Sequence, residues 1–341
     1  MTLPDHTPTH TLTQTSTPCS SASRRTAIAA AAALMACVSL QAVAQTFPAK
    51  PITFVVPFAA GSATDQLARA LAQGIATETK QSVLTDNKAG ASGFIAAQQV
   101  ARAAPDGYTV LITTNTTHAA NEHLFKKLPY DPVKDFAPVT ALGKGGQIMV
   151  VNPSLPVKTV GDYIALAKKE PGKLSFGSGS SSSRIAGEQL MQMADIKLLH
   201  VPYKSNPLAV TDLLGGQISM MITDNATGLP QVQAGKLRAL GYSGAKRTPL
   251  APDVPTIGET VKGYEMGYWF AAYVPAGTPP AVVNELNRLL VAATRSPGAV
   301  SFYQSTGTDA FTTSPADLAK FQTAEAQKWG RIIKAAGIEA E

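Results

Sequence analysis

Residues 51–75, PITFVVPFAAGSATDQLARALAQGI, decide the fold class. Ile52, Thr53, Phe54, Val55 and Val56 form a short β-branched and aromatic run, the composition of a buried parallel strand. Pro57 ends it. Ala59, Ala60, Gly61 and Ser62 make a tight turn of small residues. Leu67, Ala70, Leu71, Gly74 and Ile75 then recur at helical spacing and predict an amphipathic helix. Ser62 and Asp65 stand three apart and predict a capping box at its start. Such a strand, turn and helix leave backbone N–H groups free at the sheet edge and aim a positive helix end there. The arrangement suits an anion such as a carboxylate. Any α/β protein has turns of this kind, and Asp65 already uses part of the helix dipole.

The pattern repeats outward from this unit. Residues 82–85 predict a second strand, ending in the Gly-rich turn 86–93. A helix follows with Ile95, Ala96, Val100 and Ala103 inward. Residues 108–113 (YTVLIT) predict a third strand and 114–118 a polar loop. In a doubly wound sheet these loops share the edge where ligands bind. Residues 129–138 read as a Pro-punctuated connection. A second βα domain follows, with strands predicted at 147–151, 174–177, 217–223 and 237–242. Thr159 and Asp162 predict a capped helix, and helices are predicted from about 184 to 193 and over 207–214. Residues 178–183 read as a loop rich in hydroxyls and N–H groups. Arg184 beside it offers a planar fork for a carboxylate, or else a surface salt bridge.

Residues 266–274 (MGYWFAAYV) are apolar and aromatic. Trp269 and Phe270 suit either cleft or core, and core is the reading adopted. Thr278 is expected to cap a helix running to about 296, and Ser314 with Asp317 to cap a final long one. This last part has no sheet of its own, so it is expected to pack back on the first domain. The chain would then cross twice between lobes, near 145 and near 265, with a cleft between them.

The chain has 341 residues, enough for two domains, and its 45% hydrophobic and 15% charged content is that of a globular protein. The net charge of +6 comes from scattered lysines and arginines. That is a solvated surface biased toward anionic ligands, not a nucleic-acid interface. Arg24 and Arg25 precede an apolar run over 27–43, and Ala42-Val43-Ala44 fits a small-x-small cleavage site. An export signal is therefore expected over 1–44. A twin-arginine signal and a lipid anchor on Cys37 are the alternatives. Cys19 and Cys37 both lie in this segment, so the remaining chain has no thiol for a disulfide, nucleophile or metal site.

Catalytic signatures are missing. There is no G-x-S-x-G, P-loop or H-E-x-x-H, and Gly177-Ser178-Gly179 has Ser182 where a dinucleotide loop needs a third glycine. His118, His123 and His200 form neither a nucleophile–base set nor a convincing metal pair. A structural hydrogen bond is expected of His200. No cofactor and no metal are expected.

These features together resemble the substrate-binding proteins of tripartite tricarboxylate transporters, the Bug-type periplasmic receptors. The resemblance spans essentially the whole chain after residue 44. It rests on residues 47–52 (FPAKPI), 56–65 (VPFAAGSATD), 86–93 (DNKAGASG), 105–109 (PDGYT), 200–204 (HVPYK), 212–217 (DLLGGQ), 235–240 (GKLRAL) and 275–279 (PAGTP). It implies a two-lobed α/β periplasmic binding protein fold, each lobe a mixed, mainly parallel sheet flanked by helices, with the ligand cleft between. The lobes would be 45–145 plus 266–341, and 146–265. It further implies a receptor that closes on a small carboxylated organic acid and delivers it to membrane permease subunits; a monomer is expected. The implied ligand contacts are Phe58, Ala60, Gly61, Ser62, Asp65, Ala91, Ser92, Thr114, Asn115, Ser178, Tyr203 and Asp224. Two departures stand out. Gly61-Ser62 replaces the family's usual glycine pair. Arg184 stands where many members carry a histidine, which raises its standing as an anion contact. The competing readings are a secreted α/β enzyme using His118 or Asp65, and a receptor presenting its ligand to a sensor kinase.

Overall fold

The computed structural model describes residues 47–341, together with Met1 and Thr2. The expected export signal, with Arg24, Arg25, Cys19 and Cys37, lies outside the described residues.

The opening unit folds as its residues dictate. Ile52–Val56 is strand β1 and Ala63–Thr79 helix α1. Leu67, Leu71 and Ile75 have no exposed surface, each burial being worth about 1.5–3 kcal/mol. Val83–Asn87 is β2 and Thr109–Thr114 is β3, both parallel to β1. Phe94–Ala101 is α2. Its Ala96, Ala97 and Val100 point inward, but Ile95 is 50% exposed, contrary to expectation. The short α2 turns only one narrow face to the sheet, and Ile95 falls off it. The expected polar loop after β3 is instead a π-turn, Thr116–Ala120, running into the short helix α3, Asn121–Leu124. All five residues of that π-turn are buried.

The largest departure is β4. It spans Phe136–Val151, where the sequence predicted only its last five residues. Pro138 and the glycines from 143 to 146 look like breakers. They are accommodated by register shifts at Pro138/Thr140 and Ala141/Gly143, where a strand tolerates proline and glycine. Gly267–Pro275 is β9. The first half of β4 pairs β9 as far as Gly146↔Gly267. The second half, from Gln147, pairs Met220–Asp224 (β7) and Arg238–Tyr242 (β8). Ser175–Ser178 (β5) and Leu199–Pro202 (β6) complete the set. One sheet thus runs β2-β1-β3-β9-β4 and continues through β4 into β7-β5-β6, with β8 on the other side of β4. This is the two-lobed α/β fold. The antiparallel pairs all involve β4 or β9, the strands that link the two halves. Close approach demands glycine at the switch: a Cβ on Gly146 would lie 2.5 Å from the Tyr242 ring, whose hydroxyl accepts the Gly146 N–H.

The remaining helices are α4 (Val160–Lys169), α5 (Ser181–Ala194), α6 (Asn206–Leu214), α7 (Asn225–Gln233), α8 (Ile257–Thr260), α9 (Pro280–Ala293), α10 (Pro297–Thr306) and α11 (Pro315–Ala335). The Thr159–Asp162 capping box forms in both directions. Thr278 does not cap α9; its hydroxyl donates to the Pro275 carbonyl and Pro279 takes the cap position. Helices α9 and α10 pack on α1, and α11 packs on the π-turn and β4. Among the described residues, no helix is long and apolar enough to cross a membrane.

Candidate functional site

The site is built from helix beginnings. Ser62 starts α1, its Oγ accepting the Asp65 N–H at 3.3 Å. Ser180 starts α5 and accepts the Ser183 N–H at 3.2 Å. Ser205 starts α6 with no side-chain cap bond, and Asp224 starts α7 with its Oδ1 on the Thr227 N–H at 2.9 Å. Ser62, Ser180, Ser205 and Asp224 all line one cavity, with Phe58, Thr114, Gln147, Asn206 and Phe270. Four positive helix ends therefore converge on one cavity, the arrangement that stabilises an anion. The cavity is about 30 Å³, on the order of one water molecule. Two of its buried polar atoms, Ser205 Oγ and Gln147 Oε1, have no partner within the protein. Buried hydrogen-bonding atoms without partners are costly, so these are poised for a ligand or its water.

A relay of amides holds the far wall. The Gly179 N–H donates to Asn206 Oδ1 at 3.0 Å, and Asn206 Nδ2 donates to Asp224 Oδ2 at 2.8 Å. Thr227 Oγ1 donates to Asp224 Oδ1 at 2.6 Å. The Asp224 carboxylate is thus surrounded by donors, which offsets its repulsion of an incoming anion.

A second, outer cavity of about 350 Å³ shares Phe58 and Ser180 with the first. Ser92, Ser178, Arg184, His200, Tyr203, Lys204 and Glu341 line it. The Ser178 hydroxyl and His200 Nε2 are 2.7 Å apart, the structural bond expected of that histidine. Burial, and then the Arg184 charge, depress the His200 pKa to about 4, so the ring is neutral at pH 7. The Tyr203 hydroxyl donates to Asp212 Oδ2 at 2.7 Å, which uses its one proton. Burial, with Asp212 adding to it, pushes this phenol up to about 12.

Of the residues singled out from the sequence, Phe58, Ser62, Thr114 and Asp224 line the inner cavity, and Phe58, Ser92, Ser178, Arg184 and Tyr203 the outer one. Ala60, Gly61, Asp65 and Asn115 line neither. Ala60 and Gly61 are exposed, and Ala91 opens the turn Ala91–Gly93. Asn115 is wholly buried with its Oδ1 on the Trp269 N–H.

Asp65 is spent on the scaffold. Its carboxylate accepts from the Gly61 N–H at 2.9 Å, Asn87 Nδ2 at 3.0 Å and Arg69 Nε at 3.0 Å. The predicted capping box is therefore half formed, because the carboxylate reaches Gly61 and not the Ser62 N–H. Gly61 has φ +81°, which glycine adopts without strain and which turns its N–H inward. Burial raises the Asp65 pKa, but the bonds from Arg69, Gly61 and Asn87 outweigh it and hold the carboxyl below its ordinary 3.8. A depressed folded pKa adds stability that is complete above the unfolded value and lost as pH falls through the folded one. Asp65→Asn should cost about 1–2 kcal/mol at pH 7. The deficit should fade below pH 3.8, which urea melts at pH 7 and pH 3 would check.

Residues 181–183, expected in a loop, form the first turn of α5. Gln147, Ser205 and Asn206 line the inner cavity without having been expected there. Ser205 before Asn206-Pro207 carried a usable signal, a serine cap with proline in the first turn. Gln147 was visible as a polar residue opening an apolar strand. Phe270, read as core, is 1% exposed yet reaches the cavity wall. His118, the enzyme candidate, is fully buried, stacked at 3.8 Å on Tyr273, and depressed by burial to about 3. It has no route to a substrate. Among the described residues, no group of three His, Cys, Asp or Glu could hold a metal ion.

Two halves joined by β4 and β9, with helix ends converging on a cavity, define a solute-binding receptor. The profile of the tripartite tricarboxylate transporter family receptor matches residues 67–338, and the chain belongs to this family. It is 31% identical to BugT of Bordetella pertussis over 306 residues, covering 87% of this chain and 92% of that protein. It is similar to Rpa4515 of R. palustris with adipate, at 34% identity and TM-score 0.84 over 86% of this chain and all of that one. Periplasmic binding protein BugD matches at 31% identity and TM-score 0.83 over the same shares. MatC of Rhodopseudomonas palustris with bound malate matches at 28% identity and TM-score 0.79, over 84% of this chain and all of that one. The protein is a solute-binding receptor of the Bug kind and not an enzyme.

Proposed function

We propose that this receptor captures a small carboxylated organic acid by closing two lobes on it and hands it to a membrane permease of the tripartite tricarboxylate type. The observation that carries the reading is the convergence of the α1, α5, α6 and α7 N-termini on one cavity. A carboxylate head placed there meets four helix ends and the free Ser205 and Gln147 atoms. The lobes are 45–145 plus 266–341, and 146–265, hinged where β4 changes partners at Gly146–Gln147. Phe58, Ser62, Thr114 and Asp224 serve the head of the ligand; Ser92, Ser178, Arg184 and Tyr203 serve its remainder. Ala60, Gly61, Asp65, Ala91 and Asn115 hold those contact residues in place. Residues 1–44 direct export to the periplasm, and the receptor works as a monomer without cofactor. Dicarboxylates are the class to try first, since the similar structures hold adipate and malate.

The test is a thermal-shift and calorimetric screen of protein that has been unfolded, dialysed and refolded. A binder at one hundred times its Kd should add about 2.7 kcal/mol, several degrees or less for a chain of this size. The ligand should be recovered unchanged. Failure of every mono-, di- and tricarboxylate to shift the melt would sink the proposal. Delivery to a permease predicts that deleting the receptor abolishes uptake of the same acid.

A further inference from the structure

We propose that Arg184 is a subsite for a ligand's second carboxylate, and that the Glu341 side chain occupies it until such a ligand displaces it. The inference rests on the carboxylate reading above and adds the chemistry of the ligand's far end. Arg184 sits four residues along α5 from Ser180, about 6 Å of helix rise from that inner-cavity residue. Both residues line the outer cavity, whose 350 Å³ takes a chain of several carbons. A ligand with its head at the Ser180 helix end therefore extends toward the guanidinium.

That guanidinium is already paired. Glu341 Oε1 lies 2.7 Å from Arg184 Nη1. The acid is delivered by its backbone: the Glu341 N–H donates to the Leu124 carbonyl and the Lys126 N–H to the Glu341 main-chain oxygen, both at 2.9 Å. Leu124 and Phe125 line the same cavity. The pair is lopsided. The Arg184 side chain is 18% exposed and the Glu341 side chain 59%, so the acid approaches from the solvent side. Arg184 Nε is buried with no hydrogen-bond partner, and Glu188 Oε1 stands 4.0 Å from it. A carboxylate entering along the cavity reaches Arg184 from inside and can engage the planar fork that one exposed acid leaves unfilled. A pair with one partner so exposed is worth little, so displacing it costs at most about a five-fold loss in affinity. Lys204 on the same wall adds positive charge, and the neutral His200 adds none.

The experiment compares calorimetric affinities for linear dicarboxylates and for their half-esters of equal length. Removing the competing charge with Glu341→Gln should tighten the dicarboxylate by up to about five-fold and leave the half-ester unchanged. Arg184→Ala should erase the advantage of the dicarboxylate over its half-ester, and Glu341→Gln should then add nothing. Glu341 is mostly exposed, so its variant should melt with the wild type. If Glu341→Gln changes both ligands by the same factor, or weakens both, the pair is only a clasp and the proposal falls. Half-ester binding by the wild type checks the carboxylate reading separately. If neither ligand binds any form of the protein, both proposals are overturned.

Discussion

Gly179→Ala is expected to lower the melting midpoint by roughly 5 °C and to abolish ligand-induced stabilisation. Gly179 joins β5 to the cap of α5, and the loop before α6 lies directly against it. A Cβ there would stand 2.0 Å from the Ser205 carbonyl carbon and 2.1 Å from the Asn206 nitrogen. Those are backbone atoms, so no rotamer change relieves the overlap. Two segments must separate, at a cost of about 3 kcal/mol. The separation also breaks the Gly179 N–H bond to Asn206 and spreads two of the four helix ends that define the inner cavity. The loss of binding should therefore exceed what the fraction of unfolded protein explains. Calorimetry well below the shifted midpoint separates the two effects. Wild-type affinity with a depressed midpoint would show that α5 and α6 need not be held together for the ligand.

Asn206→Ala is expected to cost about 2–4 kcal/mol and at least tenfold in affinity, because it strips two buried partners at once. Asn206 accepts from Gly179 and donates to Asp224, and it is 7% exposed. Without it, an Asp224 oxygen faces the cavity unpaired and repels the ligand's carboxylate. Asn206→Asp makes a sharper test. It keeps the bond from Gly179 but sets a carboxylate 2.8 Å from Asp224 Oδ2. Like charges that close raise one folded pKa above its unfolded value. The penalty is then absent below the unfolded pKa, grows as pH rises from there toward the raised folded pKa, and is complete above it. Asn206→Asp should accordingly be more stable at pH 5 than at pH 7 relative to Asn206→Ala. Equal pH dependence of the two variants in urea melts would remove Asp224 from the relay.

The strand–turn–helix unit at 51–75 was legible because every cue in it is local. β-branched residues make the strand, a serine caps the helix, and an apolar stripe sets the buried face. The same held for the Thr159 box and the Ser314 cap, which form as spaced. The resemblance could be stated from short motifs for the same reason. β4 was half hidden because Pro138 and its glycines are breakers by propensity. Only pairing with β9 on one half and β7 and β8 on the other makes it a single strand. Asp65 shows the limit for a side chain. The sequence placed it in the first turn, where it looked like a ligand group, but its partners Asn87 and Arg69 consume it.

By itself the sequence determined the class of fold, the helix starts that carry partial positive charge, and the absence of catalytic signatures. These follow from neighbours in the chain, which act wherever the chain goes. Tertiary structure decided which helix starts meet. Ser62, Ser180, Ser205 and Asp224 are spread over more than 160 residues and come together only because β4 and β9 tie the two halves of the sheet. It also decided that Glu341 reaches Arg184, a pairing that no spacing encodes. A charge acts through distance in space, and that distance is set by packing.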